Sequence, residues 1–170
     1  MTPQHPPSEV TLRPMTAADV PAVVAVQQPG AVAALVDVFP QDEHPFPRDE
    51  VARRWVEELG TPGIDCSVVE EDGALVGFAA SRGDELFHLG VAVERWGSGV
   101  AQAAHDALLA RMRDAGVEVA WLRVFEGNAR GRRFYERLGW VATGERSRST
   151  FPPRPVLLRY ELPLSRRGSG

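Results

Sequence analysis

The sequence predicts a single α/β (α+β) domain in which a mixed central β-sheet carries helices on both faces. A length of 170 residues fits one domain with a sizeable core. Residues 66–81 hold two apolar, β-branched runs on either side of Asp72 and Gly73, which predicts an antiparallel hairpin. Residues 85–125 read as strand, glycine-rich turn, helix and strand, which predicts a right-handed βαβ crossover. A hairpin followed by a crossover gives a mixed sheet.

Before the hairpin, the chain predicts one strand followed by helices. Thr16 is placed as an N-cap, and Asp19 stands three residues later as in a capping box. A linker rich in proline and acidic residues separates the last two helices. The predicted elements are a strand at 10–14 and helices at 16–28, 31–39 and 48–59.

After the hairpin, apolar residues set the elements. A helix follows the glycine turn because Val100, Ala104, Leu108 and Met112 recur every four residues, and Gly116 closes it. Asn128 is placed to cap a second helix, whose apolar stripe includes Phe134 and Leu138 and which ends at Gly139. The predicted strands are 85–93, 119–125, 140–145 and 155–164.

The composition excludes several classes of protein. The chain is 44% hydrophobic and 25% charged, and no apolar stretch approaches the ~20 residues of a membrane span. The N-terminus lacks an export signal, so a cytoplasmic protein is expected. A net charge of −4 gives no reason to expect nucleic-acid binding, and a single cysteine excludes an internal disulfide or a cysteine zinc cluster. We expect a domain over 9–164, with disordered ends at 1–8 and 165–170.

The segment ERWGSGVAQ (94–102) places two glycines where a strand becomes a helix. Such a turn with the unpaired amides of a helix N-terminus suits an anion, most often a phosphate. A P-loop is excluded because the chain contains no lysine. The dinucleotide pattern GxGxxG matches Gly97 and Gly99 but meets Gln102 in place of its third glycine, so a nucleotide-binding oxidoreductase stays a weak alternative.

Two blocks resemble the GCN5-related N-acetyltransferases (GNAT). Residues 85–101, ELFHLGVAVERWGSGVA, resemble that family's pantetheine- and pyrophosphate-binding motif Q/R-x-x-G-x-G/A: Gly99 and Ala101 match, and Trp96 replaces the Gln or Arg. The opening LRPMTAADVPAV is also similar to the family's first strand and helix. A later block, WLRVFEGNARGRRFYERLGW (121–140), matches in order and spacing at Asn128, Phe134, Tyr135, Gly139 and Trp140.

The resemblance implies acetyl-CoA as co-substrate and direct transfer to a primary amine of a small molecule or peptide. No metal is expected, because Asp42, Glu43 and His44 are adjacent loop residues, which rarely share one ion without further partners. The resemblance places the thioester along the strand that ends near Val93, with the Val91 N–H on its carbonyl. Gly90 is expected to permit a bulge there, or else only to accommodate packing. The expected cofactor-binding residues are Val91, Val93, Trp96, Gly97, Ser98, Gly99, Val100, Ala101, Asn128, Arg132 and Arg133.

The resemblance also implies the catalytic residues. Tyr135 is the expected proton donor to the leaving thiolate, and Glu85, acting through water, is the expected base. Asp84 is its near substitute, and His88 lies on the same strand. A binding protein that senses acyl-CoA without catalysis stays open as an alternative, and the apolar segment VLLRYELPL is compatible with a homodimer.

Overall fold

The computed structural model describes residues 8–164, so the expected disorder at 1–8 and 165–170 falls outside these residues except at Ser8. Short 3-10 turns precede the first and third helices. The strands are β1 Val10–Pro14, β2 Ile64–Glu71, β3 Ala74–Arg82, β4 Glu85–Val91, β5 Val119–Phe125, β6 Val141–Arg148 and β7 Val156–Pro163. The helices are α1 Val20–Ala34, α2 Arg48–Leu59, α3 Val100–Asp114 and α4 Ala129–Arg137.

The strands form one mixed sheet in the order β1-β2-β3-β4-β5-β7-β6. The predicted hairpin is present, with Asp72 and Gly73 both at positive φ, the backbone that a tight two-residue turn requires. The pair β4 and β5 is parallel, while the other neighbouring strands are antiparallel. The sheet is therefore mixed, as predicted.

Helices cover both faces of the sheet, each over its own core. The face under α3 buries Leu86, Val91 and Leu122, among others. The opposite face, under α1 and α2, buries Trp55 and Phe78. Helices thus lie on both faces of a central sheet, which confirms the predicted fold class.

The separate helix predicted over 31–39 is wrong. Helix α1 runs through Pro29 and Gly30 to Ala34, and residues 35–38 form turns. Proline weakens a helix because it lacks an N–H, so Pro29 suggested a break, but packing against the sheet keeps the helix continuous. After the helix, Phe39 meets Phe125 edge to face at 5.4 Å between ring centroids, which brings the chain over the end of β5.

Candidate active site

Strands β4 and β5 diverge and leave a gap in the sheet. Among the described residues, their register holds a single pair, Glu85 with Trp121. On the other side of β4, the Ala92 N–H donates to the Val76 carbonyl of β3 at 2.8 Å. Because successive residues of a strand direct their backbone groups to opposite sides, the amides of Leu89 and Val91 point into the gap. Two backbone amide donors therefore line the β4 side of the gap, where the thioester carbonyl is expected.

The bulge of β4 lies at Phe87 and not at Gly90, where it was expected. Ala80 pairs with His88 and Ser81 with Leu86, so Phe87 is the extra residue. Gly90 accommodates packing instead, since a Cβ built there would lie 2.4 Å from the Phe78 ring. The alternative reading of Gly90 is thus the one that the structure favours.

The glycine turn leads directly into α3. Gly97 (φ +77°) and Gly99 (φ +93°) adopt the left-handed backbone that side chains disfavour. Gly99 is the N-cap of α3, so the amides of Val100 and Ala101 belong to its first turn. Ser98 instead holds the turn together, because its hydroxyl and its amide both donate to the Arg95 carbonyl, at 2.6 and 3.2 Å.

Trp96 connects the glycine turn to α4. The guanidinium of Arg130 lies 4.2 Å from the centroid of the Trp96 ring. Trp96 also lies near α1, because a Cβ built on Gly30 would lie 3.7 Å from its ring. Val93 belongs to the 3-10 turn that precedes Trp96, so it follows the end of β4 at Val91. The cation–π contact places a positive charge beside the turn, contributed by Arg130 and not by the two arginines expected from the sequence.

Helix α4 begins as predicted. Asn128 caps it, accepting a hydrogen bond from the Gly131 N–H at 2.9 Å. Arg132 has other partners: it donates from Nε to the Tyr160 hydroxyl at 3.1 Å and from Nη1 to the Glu126 carbonyl at 3.2 Å, and the bond to Tyr160 is the main reason its pKa is raised. Arg133 is exposed, without a charged or hydrogen-bonded partner among the described residues.

Tyr135 presents a free hydroxyl from α4. Its ring packs edge to face against Phe134 at 5.2 Å and Trp140 at 5.9 Å. No hydrogen bond to the hydroxyl is present within residues 8–164, and burial raises the pKa of the phenol. The phenol therefore keeps its proton at neutral pH, as a proton donor must.

A buried histidine, His105, contacts the aromatic rings of Phe134 and Trp140 beside this tyrosine. Trp140 Nε1 donates to His105 Nε2 at 3.0 Å, and His105 Nδ1 lies 2.9 Å from Asp106 Oδ1. Burial is the main cause of the lowered pKa of His105. Its Nε2 accepts the hydrogen bond from Trp140, so Nδ1 carries the hydrogen of the neutral ring, and this bond fixes the orientation of Trp140.

Glu85 is not a free carboxylate. It is 2% exposed, and its Oε1 accepts from Arg82 Nε at 2.9 Å and from Arg82 Nη2 at 2.6 Å. Its other oxygen, Oε2, lies 3.4 Å from Arg123 Nη2 on β5. Glu85 thus joins the two strands at the closed end of the gap.

Sequence reasoning missed a second carboxylate beside β4. Glu58 Oε2 of α2 lies 2.9 Å from His88 Nε2. Thirty positions separate the two residues, and no local pattern in the sequence says that the end of α2 lies over β4.

The described residues hold no group of three or more histidine, cysteine or acidic side chains placed to bind a metal. A search of the same part of the chain finds no helix that is both long and apolar enough to cross a membrane.

Comparisons with known proteins agree with this architecture. A crystal structure of a GCN5-related N-acetyltransferase from Rhodopseudomonas palustris superposes with a TM-score of 0.75 at 18% identity, covering 94% of this chain and 99% of that one. PaiA N-acetyltransferase from Thermoplasma acidophilum, solved in complex with coenzyme A, superposes with a TM-score of 0.71 at 14% identity, covering 91% of this chain and 99% of that one. At these identities the likeness shows the fold.

Sequence comparison supplies the family. An uncharacterized N-acetyltransferase of Mycobacterium tuberculosis strain H37Rv is 34% identical over 99 residues, which are 55% of this chain and 64% of the relative. The match thus spans less than two thirds of that relative. The model of the acetyltransferase (GNAT) family matches residues 31–140, more than half of the chain. This match confirms the resemblance drawn from the two motifs, and the chain belongs to the GNAT family of acetyltransferases.

Proposed function

We propose that this chain is an acetyl-CoA-dependent N-acetyltransferase that moves an acetyl group directly to a primary amine of a small molecule or peptide. The observation that carries the proposal is the gap between β4 and β5. Backbone amides of Leu89 and Val91 line it, the N-terminus of α3 lies beyond the end of β4, and the hydroxyl of Tyr135 has no hydrogen-bond partner within residues 8–164. These features match the needs of a long, anionic thioester.

The glycine turn suits the pyrophosphate of coenzyme A. Glycines at 97 and 99 leave the backbone uncovered, and the first amides of α3 carry the partial positive charge of a helix N-terminus. The amide of Val100 also donates to the Ser98 hydroxyl at 3.3 Å, a bond that a phosphate oxygen would replace. Trp96 and Arg130 form one side of this cradle. We assign the 3′-phosphate to Arg133, with Arg132 as a second candidate only if it leaves Tyr160.

The chemistry needs a donor for the carbonyl oxygen and a proton for the leaving sulfur. The amides directed into the gap stabilise the oxygen as charge develops on it. Tyr135 gives its proton to the thiolate as the carbon–sulfur bond breaks. Asn128 contributes through its cap, which fixes the start of the helix that carries Tyr135.

The expected base, Glu85, enters the proposal in a restricted form. Both of its oxygens already accept hydrogen bonds or ion pairs from arginines, and it is buried. Because both oxygens are engaged, Glu85 does not contact the amine, and its part in the proposal is to hold β4 to β5 where the gap closes.

Two measurements test the proposal. Ligand that binds the folded chain alone raises its melting temperature, so acetyl-CoA should stabilise the protein while NAD at the same concentration should not. The second measurement follows the release of free CoA thiol with a chromogenic thiol reagent in the presence of each of a panel of primary amines. Thiol should be released with at least one amine and not in the absence of an amine. Stabilisation by acetyl-CoA without thiol release for any amine would favour the non-catalytic sensor, and stabilisation by NAD alone would favour the oxidoreductase.

A further inference from the structure

His88 and Glu58 form a pair on the face of β4 that lies under α1 and α2. Within this pair, Nε2 of the imidazole and Oε2 of the carboxylate are 2.9 Å apart. An ionised carboxylate accepts hydrogen bonds and cannot donate one, so the neutral imidazole carries its hydrogen on Nε2. That tautomer leaves the lone pair on Nδ1.

The ring of His88 is held firmly. It lies against Trp55 of α2 at 4.9 Å and against Phe87 at 4.0 Å between ring centroids. Phe87 is the bulged residue of β4, so the bulge places an aromatic ring beside the imidazole. A ring fixed by a carboxylate and two aromatic contacts presents its free nitrogen in one direction.

The free nitrogen is open to solvent. Nδ1 of His88 has no hydrogen-bond partner within residues 8–164, and the side chain is 29% exposed. Across the described residues, Arg113 Nε is the one buried side-chain nitrogen or oxygen without a partner. Nδ1, which also lacks a partner, is therefore not fully buried.

His88 and Tyr135 lie on opposite faces of the sheet. The imidazole projects from β4 among residues of the α1 and α2 face, where Ala80 is its paired neighbour. Tyr135 packs into the core on the opposite face. Leu89, whose amide points into the gap between these faces, is the next residue along the strand.

We propose that His88, oriented by Glu58, takes the proton from the attacking amine. The inference rests on the proposed function. As the amine nitrogen bonds to the thioester carbon and the carbon–sulfur bond breaks, the nitrogen loses a proton to His88 Nδ1. The sulfur takes the proton of Tyr135, and transfer from the imidazolium to the tyrosinate through solvent restores both groups. Imidazole suits this role because the neutral ring donates from one nitrogen and keeps an acceptor lone pair on the other.

The test measures thiol release from acetyl-CoA with the primary amine that the panel identifies, in the full chain. His88→Ala should lower kcat/KM by about 10²-fold or more, the usual contribution of a positioned base, while acetyl-CoA affinity is unchanged. Added imidazole should restore part of the rate, a response that a purely structural role does not give. Glu58→Gln should lower the rate at least about 10-fold, as loss of an orienting partner does, and the exposed neighbour Glu57→Gln is the matched control with wild-type activity.

The outcomes separate the two proposals. Wild-type turnover by His88→Ala would overturn the inference and leave the proposed function intact. Absence of thiol release by the wild type with every amine, despite acetyl-CoA binding, would overturn both. If His88→Ala fails to fold, Glu58→Gln decides: equal activity with Glu57→Gln contradicts the inference, and a selective loss supports it.

Discussion

Replacing Tyr135 with phenylalanine removes a single hydroxyl from the candidate site. The ring contacts with Phe134 and Trp140 persist, and the hydroxyl has no hydrogen bond within the described part of the chain to lose. The free energy of unfolding should therefore change by no more than about 0.5 kcal/mol. If Tyr135 protonates the thiolate, kcat should fall about 10²- to 10⁴-fold. That range corresponds to about 3–5 kcal/mol in the barrier.

The assay combines three measurements on wild type and Tyr135→Phe. Thiol release gives kcat, calorimetric titration gives the affinity for acetyl-CoA, and denaturant unfolding gives stability. The reasoning requires a large loss of kcat with affinity and stability preserved. Turnover at the wild-type rate would refute the role of the phenol, and a loss of rate matched by a loss of stability would assign Tyr135 to packing.

Three further predictions concern stability. Asn128→Ala should lower the free energy of unfolding by about 1 kcal/mol in denaturant titration through loss of the α4 cap, and an unchanged midpoint would show that the cap contributes nothing. Because burial lowers the pKa of His105 below 6.5, the unfolded chain binds a proton that the folded chain does not as pH falls through 6.5. The free energy of unfolding of the wild type should therefore fall as the pH is lowered through 6.5, and it should fall less steeply in His105→Gln. Parallel pH profiles of the two proteins would contradict this. Glu85→Gln should lower the free energy of unfolding by about 1–3 kcal/mol, because it removes the negative charge between Arg82 and Arg123. An unchanged free energy of unfolding would show that these ion pairs do not stabilise the fold.

Local patterns account for most of the fold. The Asp72–Gly73 turn and the Gly99 N-cap adopt the backbone that their residue types favour, so the hairpin and the start of α3 were predictable from short segments. The predicted break at Pro29 was wrong because the hydrogen bond that proline cannot donate is outweighed by packing of α1 against the sheet. The bulge misled for a related reason: Gly90 faces the Phe78 ring, a contact between residues of different strands.

The candidate site is predictable only where its residues act through the backbone or through one motif. The glycine turn and the Asn128 cap are read from sequence because their neighbours along the chain define them, whereas the role of Tyr135 stays a prediction that rests on the family resemblance. Side-chain partners that are distant in sequence cannot be predicted in this way. Arg123 on Glu85 and Glu58 on His88 depend on which strands and helices become neighbours in space.

The central claim is that acetyl-CoA occupies the gap between β4 and β5 with its pyrophosphate at the start of α3. A titration of the ¹⁵N-labelled protein with acetyl-CoA, followed by amide NMR, tests it most directly. The largest shifts are expected at the amides of Leu89, Val91 and residues 97–101, with smaller ones at the start of α4. Saturable shifts confined to other parts of the sheet, with the glycine turn unaffected, would contradict it.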